Sequence, residues 1–136
     1  MNTSKYLTLT LLMAISAPAI AGDAAKGETG FNKCKACHAI VDAGGTAIIK
    51  GGKTGPNLFG VIGRQIGTAP DFKFGDSIIA AGADGTVWDE AMLATYLVDP
   101  SAWLKEKTGD PAARSKMTFK LPKGGEDLAA YLATQK

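Results

Sequence analysis

The sequence predicts an all-α fold of four or five short helices joined by long loops, and three observations lead there. Apolar residues recur at helical spacing in several separate short stretches, and no strand-like alternation continues for a useful length. Seventeen glycines and six prolines divide the 136 residues into many turns. With only 7% aromatic residues the core is thin, so a buried cofactor is expected to make up a large part of it.

The elements follow in order along the chain. Residues 1–21 read as a secretory signal peptide: Lys5 supplies the basic start, Leu7 to Ile15 the apolar stretch and Ala19-Ile20-Ala21 a small-x-small cleavage site. The apolar stretch is shorter than the ~20 residues that a membrane span requires. Cleavage leaves residues 22–136 as one domain in the periplasm. Asp23 is a candidate N-cap, and Ala24, Gly27, Phe31 and Cys34 mark one face of a first helix that runs up to the cysteines. Val41 to Pro70 is rich in Gly, Thr, Pro and Lys with no sustained period, and is read as loop wrapped over something. Gly75 to Ala81 can form a short helix. Asp89 caps Glu90 to Val98, with Met92, Leu93, Tyr96 and Leu97 as its apolar stripe. Asp99-Pro100 ends that helix and opens a short one carrying Trp103 and Leu104, since proline suits the first helical position. Turn-rich sequence follows through Lys116-Met117-Thr118-Phe119 and Pro122, and Glu126 to Thr134 closes the chain as a helix.

Size and charge exclude several classes of function. The 115 residues after the leader are too few for two independent cores, so a multidomain enzyme is excluded. Without Lys5 the chain has 14 basic and 13 acidic residues, a balance that offers no case for nucleic acid.

One motif carries chemistry: Cys34-Lys35-Ala36-Cys37-His38. C-x-x-C-H is a c-type haem attachment signal, in which two thiols form thioethers with the haem vinyl groups and the adjacent imidazole is brought to the iron. Competing readings are weaker. A disulfide would close a loop too short to constrain the unfolded chain much. A dithiol oxidoreductase needs a strand and βαβ pattern before the motif, and a structural zinc site normally needs four ligands where this chain offers three. Redox thiols remain the main alternative to haem.

His38 is the only histidine, so one haem is implied and bis-histidine ligation within the chain is impossible. Of the soft donors outside the leader, Met92 lies on a helical apolar stripe and reads as core. Met117 lies in a non-periodic stretch able to fold back over the other haem face, and is the preferred second ligand. Thioether ligation and burial both favour ferrous iron, and a filled sixth position leaves no vacant site for substrate. A one-electron carrier follows. A peroxidase would want an acid-base residue beside an open iron, and no second histidine exists; a gas sensor would want an output domain for which there is no room.

The chain resembles the class I cytochromes c, in particular the longer periplasmic carriers of the c-two and c-five-fifty type. The likeness runs through Cys34–His38, Thr54-Gly55-Pro56-Asn57-Leu58, Gly63-Arg64, Trp88, Tyr96 to Pro100, Lys116 to Phe119, and Leu128 with Tyr131. It implies that the Pro56 carbonyl accepts a proton from His38, that Arg64 and Trp88 hydrogen-bond a haem propionate, and that the Tyr96 hydroxyl lies near the methionine sulfur. Gly27 and Phe31 are expected to meet Leu128 and Tyr131 where the terminal helices cross. Phe74 stands where many relatives carry tyrosine, so one propionate hydrogen bond is expected to be missing or supplied by water. The resemblance further implies a cytochrome bc complex as electron donor, and a terminal oxidase or photosynthetic reaction centre as acceptor. Lys33, Lys35, Lys53, Lys116, Lys120 and Lys123 flank the segments that should border the haem. They are expected to form a positive docking face on a monomer that does not insert into membrane.

Overall fold

The computed structural model describes residues 21–136. Apart from Ala21, the leader expected over residues 1–21 lies outside the described residues. Asp23 caps the first helix: its Oδ1 accepts from the backbone N–H groups of Ala25 (3.0 Å) and Lys26 (3.2 Å). Helix α1 (Ala24–Gly30) passes into a 3-10 turn at Phe31–Lys33. The backbone N–H of His38 reaches back 2.9 Å to the Cys34 carbonyl, so both cysteines and the histidine share one tight turn at the end of the first helical segment.

The long loop contains regular structure that its sequence did not announce. Strands β1 (Ile40–Val41) and β2 (Ala47–Ile49) pair antiparallel with an irregular register, around a turn in which Asp42 Oδ1 accepts from Gly44 N and Thr46 N at 2.9 and 2.8 Å. Two or three residues per strand are too few to show a period of two, while the Asp-x-Gly-Gly turn at 42–45 was the visible signal. The remainder of 41–70 is irregular, as expected.

Four further helices complete the chain: α2 (Asp76–Ala81), α3 (Glu90–Val98), α4 (Pro100–Thr108) and α5 (Gly125–Ala133). Asp89 accepts from Met92 N at 2.6 Å and caps α3, and Asp99 accepts from Ala102 N at 3.0 Å and caps α4. Helix α4 continues beyond Leu104 to Thr108, where Gly109 takes a left-handed conformation (φ 69°) suited to glycine after a helix.

The core forms where α1 crosses α5 and α3 packs beside them. Phe31 and Tyr131 meet with ring centroids 6.0 Å apart, and Leu128, Ala129 and Leu132 bury the same face of α5. Gly27 lies against the α5 backbone so closely that a Cβ there would sit 2.7 Å from Tyr131 Cβ, so glycine sets how near the terminal helices can come. Trp88, Tyr96 and Trp103 form an aromatic cluster with centroids 5.0 to 5.5 Å apart, joining α3 and α4 to the loop before them.

Candidate functional site

Between these helices and the wrapped loop lies a cavity of about 670 Å³. All eight residues singled out in the sequence line it: Cys34, Cys37 and His38 from the turn after α1, Pro56 and Arg64 from the long loop, Trp88 just before α3 and Tyr96 within it, and Met117 from the segment before α5. Met92 does not line it; it is half-buried against the core, the place expected for a packing methionine. The volume falls within the ~300–1,000 Å³ range of small-molecule and cofactor sites, far beyond the space of a single ion.

His38 is held by its backbone and by its ring. Its Nδ1 lies 2.8 Å from the Pro56 carbonyl oxygen, which can only accept, so Nδ1 carries the proton and Nε2 is left with a free lone pair. Burial pushes the imidazole below its ordinary pKa, a tendency the Pro56 hydrogen bond opposes, and the neutral ring is the ligand form. Three glycines of the loop make this seat. Gly52 N donates to Lys35 O at 2.9 Å and Gly55 N to Cys37 O at 2.8 Å. A side chain at 51 or 52 would run into the 36–38 backbone, and one at 55 would strike the His38 ring, 2.6 Å from Nδ1. The glycine-rich loop thus wraps the attachment turn itself.

Asn57 fixes the carbonyl of its neighbour Pro56. Its Oδ1 accepts from Val41 N (2.9 Å) and Phe59 N (3.1 Å), and its Nδ2 donates to Val41 O at 2.7 Å, which ties the loop to β1. The sequence marked Asn57 only as part of a matching segment; its flanking turn residues were the available signal. Arg64 sends Nη1 to Asn57 O at 3.0 Å and Nη2 to Phe59 O, which points its half-buried guanidinium along the cavity wall with donors to spare. Burial lowers the pKa of this guanidinium without taking it out of the cationic range. An anionic group at this end of the cavity would meet that charge.

On the methionine side, the Tyr96 hydroxyl lies 3.2 Å from Ser115 Oγ, and Ser115 Oγ also accepts from Met117 N at 3.0 Å. Ser115 N in turn donates to Ser101 Oγ at 3.0 Å. Neither serine was singled out in the sequence, because an isolated serine in a turn-rich segment has no pattern to mark it. Burial raises the Tyr96 pKa, so its hydroxyl stays a donor. Phe74 also lines the cavity, edge-on to Phe72 with centroids 4.8 Å apart.

Cys34 is half-buried and Cys37 exposed, and no disulfide joins them. Burial pushes the Cys34 thiol up, whereas a redox-active thiol needs its pKa brought down. Among the described residues no group of three or more His, Cys, Asp or Glu side chains could hold a metal ion. One imidazole, one thioether and two thiols around a large, mostly apolar cavity with a cation at its wall fit a haem joined at its edge.

Of the six lysines expected to flank the site, Lys33 and Lys116 line the cavity. Lys120 is tied to Asp99, Nζ to Oδ2 at 2.6 Å, and is therefore not a free cation. Among the described residues no helix is long and apolar enough to cross a membrane.

No family model matches the chain. It is 61% identical over 134 residues to the cytochrome c2 of Rhodobacter capsulatus, covering 98% of both chains. It is 55% identical over 136 residues to the cytochrome c-550 of Paracoccus versutus, covering 98% of this chain and 88% of the other. Among solved structures, Rhodobacter capsulatus cytochrome c2 aligns with a TM-score of 0.82 at 62% identity, covering 83% of this chain and 97% of that one. Ferric cytochrome c-550 from Paracoccus versutus aligns with a TM-score of 0.81 at 56% identity, covering 84% and 98%.

Proposed function

The chain belongs to the cytochrome c2 and c-550 group of class I cytochromes c, an electron-carrier family, and on that premise we propose that it is a periplasmic one-electron shuttle with a closed His38/Met117 site. It carries one covalently attached haem c, whose iron supplies the Fe(III)/Fe(II) couple when bound. The observation that carries the reading is the convergence of His38 and Met117 on one cavity with both cysteines of the attachment turn.

Each residue then has a physical task. Cys34 and Cys37 hold the group by thioethers. His38 presents Nε2 while Pro56 fixes its ring and raises its donor strength through the Nδ1 hydrogen bond. Met117 presents its sulfur from a segment whose backbone is steadied by Ser115. Arg64 and Trp88 line the part of the cavity suited to a propionate, where an unpaired carboxylate would be costly. Tyr96 sets the polarity beside the sulfur through its link to Ser115. The apolar remainder excludes water, which disfavours the extra positive charge of the ferric state.

Residues 1–21 serve as the export leader and 22–136 as the carrier domain; from Gly22 onward the chain packs on the start of α5, where a Cβ at 22 would strike the Glu126 carbonyl. Lys33, Lys35, Lys53, Lys116 and Lys123 face acidic docking surfaces, on a cytochrome bc complex as donor and on a terminal oxidase or photosynthetic reaction centre as acceptor. Docking is by charge steering, without insertion.

The test is the optical spectrum of the protein purified from the periplasm, oxidised and reduced. A weak far-red sulfur-to-ferric-iron band, sharp reduced bands and no carbon monoxide binding are expected. Covalent haem that lacks the band or binds carbon monoxide readily would refute the closed site, and absence of haem would return Cys34 and Cys37 to thiol chemistry.

A further inference from the structure

The segment that carries Met117 packs that side chain against the core, but it is hydrogen-bonded at its two ends and scarcely between them. Among the described residues, the one hydrogen bond made by residues 116–119 is that of Met117 N to Ser115 Oγ. Upstream, Ser115 is fastened to Ser101 and Tyr96. Downstream, Leu121 N donates to Leu97 O at 2.7 Å and Lys120 Nζ donates to Asp99 Oδ2 at 2.6 Å. Every one of these anchors belongs to the elbow between α3 and α4, residues 96 to 101.

Asp99 is built to be the fixed half of its pair. One carboxylate oxygen, Oδ1, is already oriented by capping α4 through Ala102 N, and this leaves Oδ2 aimed at Lys120. The cap removes much of the side-chain entropy that an exposed ion pair usually gives up on forming. The carboxylate is 34% and the ammonium 58% exposed, so the link is reachable by salt.

We infer that Lys120 and Asp99 are positioning residues for the iron site: their ion pair latches the downstream end of the Met117 segment to the α3–α4 elbow and holds the sulfur against replacement by outside ligands. The inference rests on the closed His38/Met117 reading. Opening the segment requires the pair to part, so the pair lowers the population of the open form without touching the cofactor. The same commitment takes Lys120 out of the set of lysines free to meet a partner.

The experiment titrates imidazole into the haem-loaded ferric protein and follows loss of the far-red sulfur–iron band, at low and at high ionic strength. Lys120→Gln and Asp99→Asn are each expected to bind imidazole about 2- to 5-fold more tightly than the unmodified protein, the range an exposed ion pair can supply. Asparagine caps a helix as well as aspartate, so Asp99→Asn keeps α4 while losing the charge. The double variant should bind no more tightly than either single one, Lys120→Arg should bind like the unmodified protein, and added salt should tighten binding only where the pair is intact. Equal affinities in all the proteins, or single effects that add, would overturn the latch. A far-red band missing from the unmodified protein would overturn the closed site and the latch with it, which separates the two failures.

Discussion

Replacing Gly27 with alanine tests whether a backbone approach, and not a side-chain contact, sets the spacing of the terminal helices. The new Cβ would strike the Asp127 carbonyl oxygen outright, and it would lie 2.6 Å from the Asp127 carbonyl carbon and 2.7 Å from Tyr131 Cβ, each about 0.7 Å or more inside the 3.4 Å at which ordinary contact begins. Two of these atoms are backbone and the third is fixed to it, so no rotamer change relieves the overlap and α1 must move off α5. Overpacking of this kind costs ~1–3 kcal/mol, and more where nothing can yield. Alanine recovers ~0.5–1 kcal/mol of helix propensity, so a net loss of about 2 kcal/mol is expected. At roughly 4 °C per kcal/mol for a domain of this size, Tm should fall by about 8 °C. Gly30 is the internal control: it lies on the same helix, is helical (φ −62°), and a Cβ there meets nothing within 4 Å. Gly30→Ala should therefore hold or raise Tm by a few degrees. Thermal unfolding of both haem-loaded variants, followed by far-ultraviolet circular dichroism, decides the matter. A Gly27→Ala protein as stable as Gly30→Ala would refute the close approach.

Gly55→Ala would push a methyl group into the His38 ring, and the haem-loaded protein should be recovered in low yield or with a disturbed axial ligand, read from its absorption spectrum; normal loading and spectrum would contradict the tight seat. Met117→Ala should abolish the far-red band, admit carbon monoxide and lower the potential, measured by redox titration; an unchanged potential would move the ligand to Met92 or a lysine. Asp84, whose pKa is lowered to about 2 chiefly by the Thr86 hydroxyl and backbone and also by Lys107, contributes stability above the ordinary carboxylate value of 3.8. That contribution is lost as pH falls from about 4 towards 2. Asp84→Asn should flatten the stability profile in that window, and an unaltered acid limb in denaturant titrations at several pH values would count against it.

The outcome at particular residues shows which features were legible. Asp23, Asp89 and Asp99 each cap the helix expected after them, because an N-cap acts on the two or three residues that follow and its signal is entirely local. Helix α4, expected as a short helix carrying Trp103 and Leu104 ahead of turn-rich sequence from Thr108, spans Pro100–Thr108 and stops at Gly109, whose left-handed conformation is again a local signal. The β1–β2 hairpin escaped notice because five residues cannot display an alternating pattern. Lys120 was grouped with the docking lysines, and its partner Asp99, 21 residues earlier, is invisible to any local reading.

The sequence by itself determined the helical elements, the attachment turn and the identity of the two axial candidates, since spacing, caps and a motif confined to five residues are properties of neighbouring positions. It also limited the ligand choice, because a single histidine and two methionines beyond the leader leave few combinations. Only the tertiary structure decided what surrounds them. The glycine seat beneath His38, the Asn57 tie behind Pro56, the Ser101–Ser115–Tyr96 chain and the Lys120–Asp99 link all join segments that meet through folding. Such contacts depend on where the α1–α5 crossing and the α3–α4 elbow place distant backbone, and one residue's chemistry does not reveal which distant partner it will face.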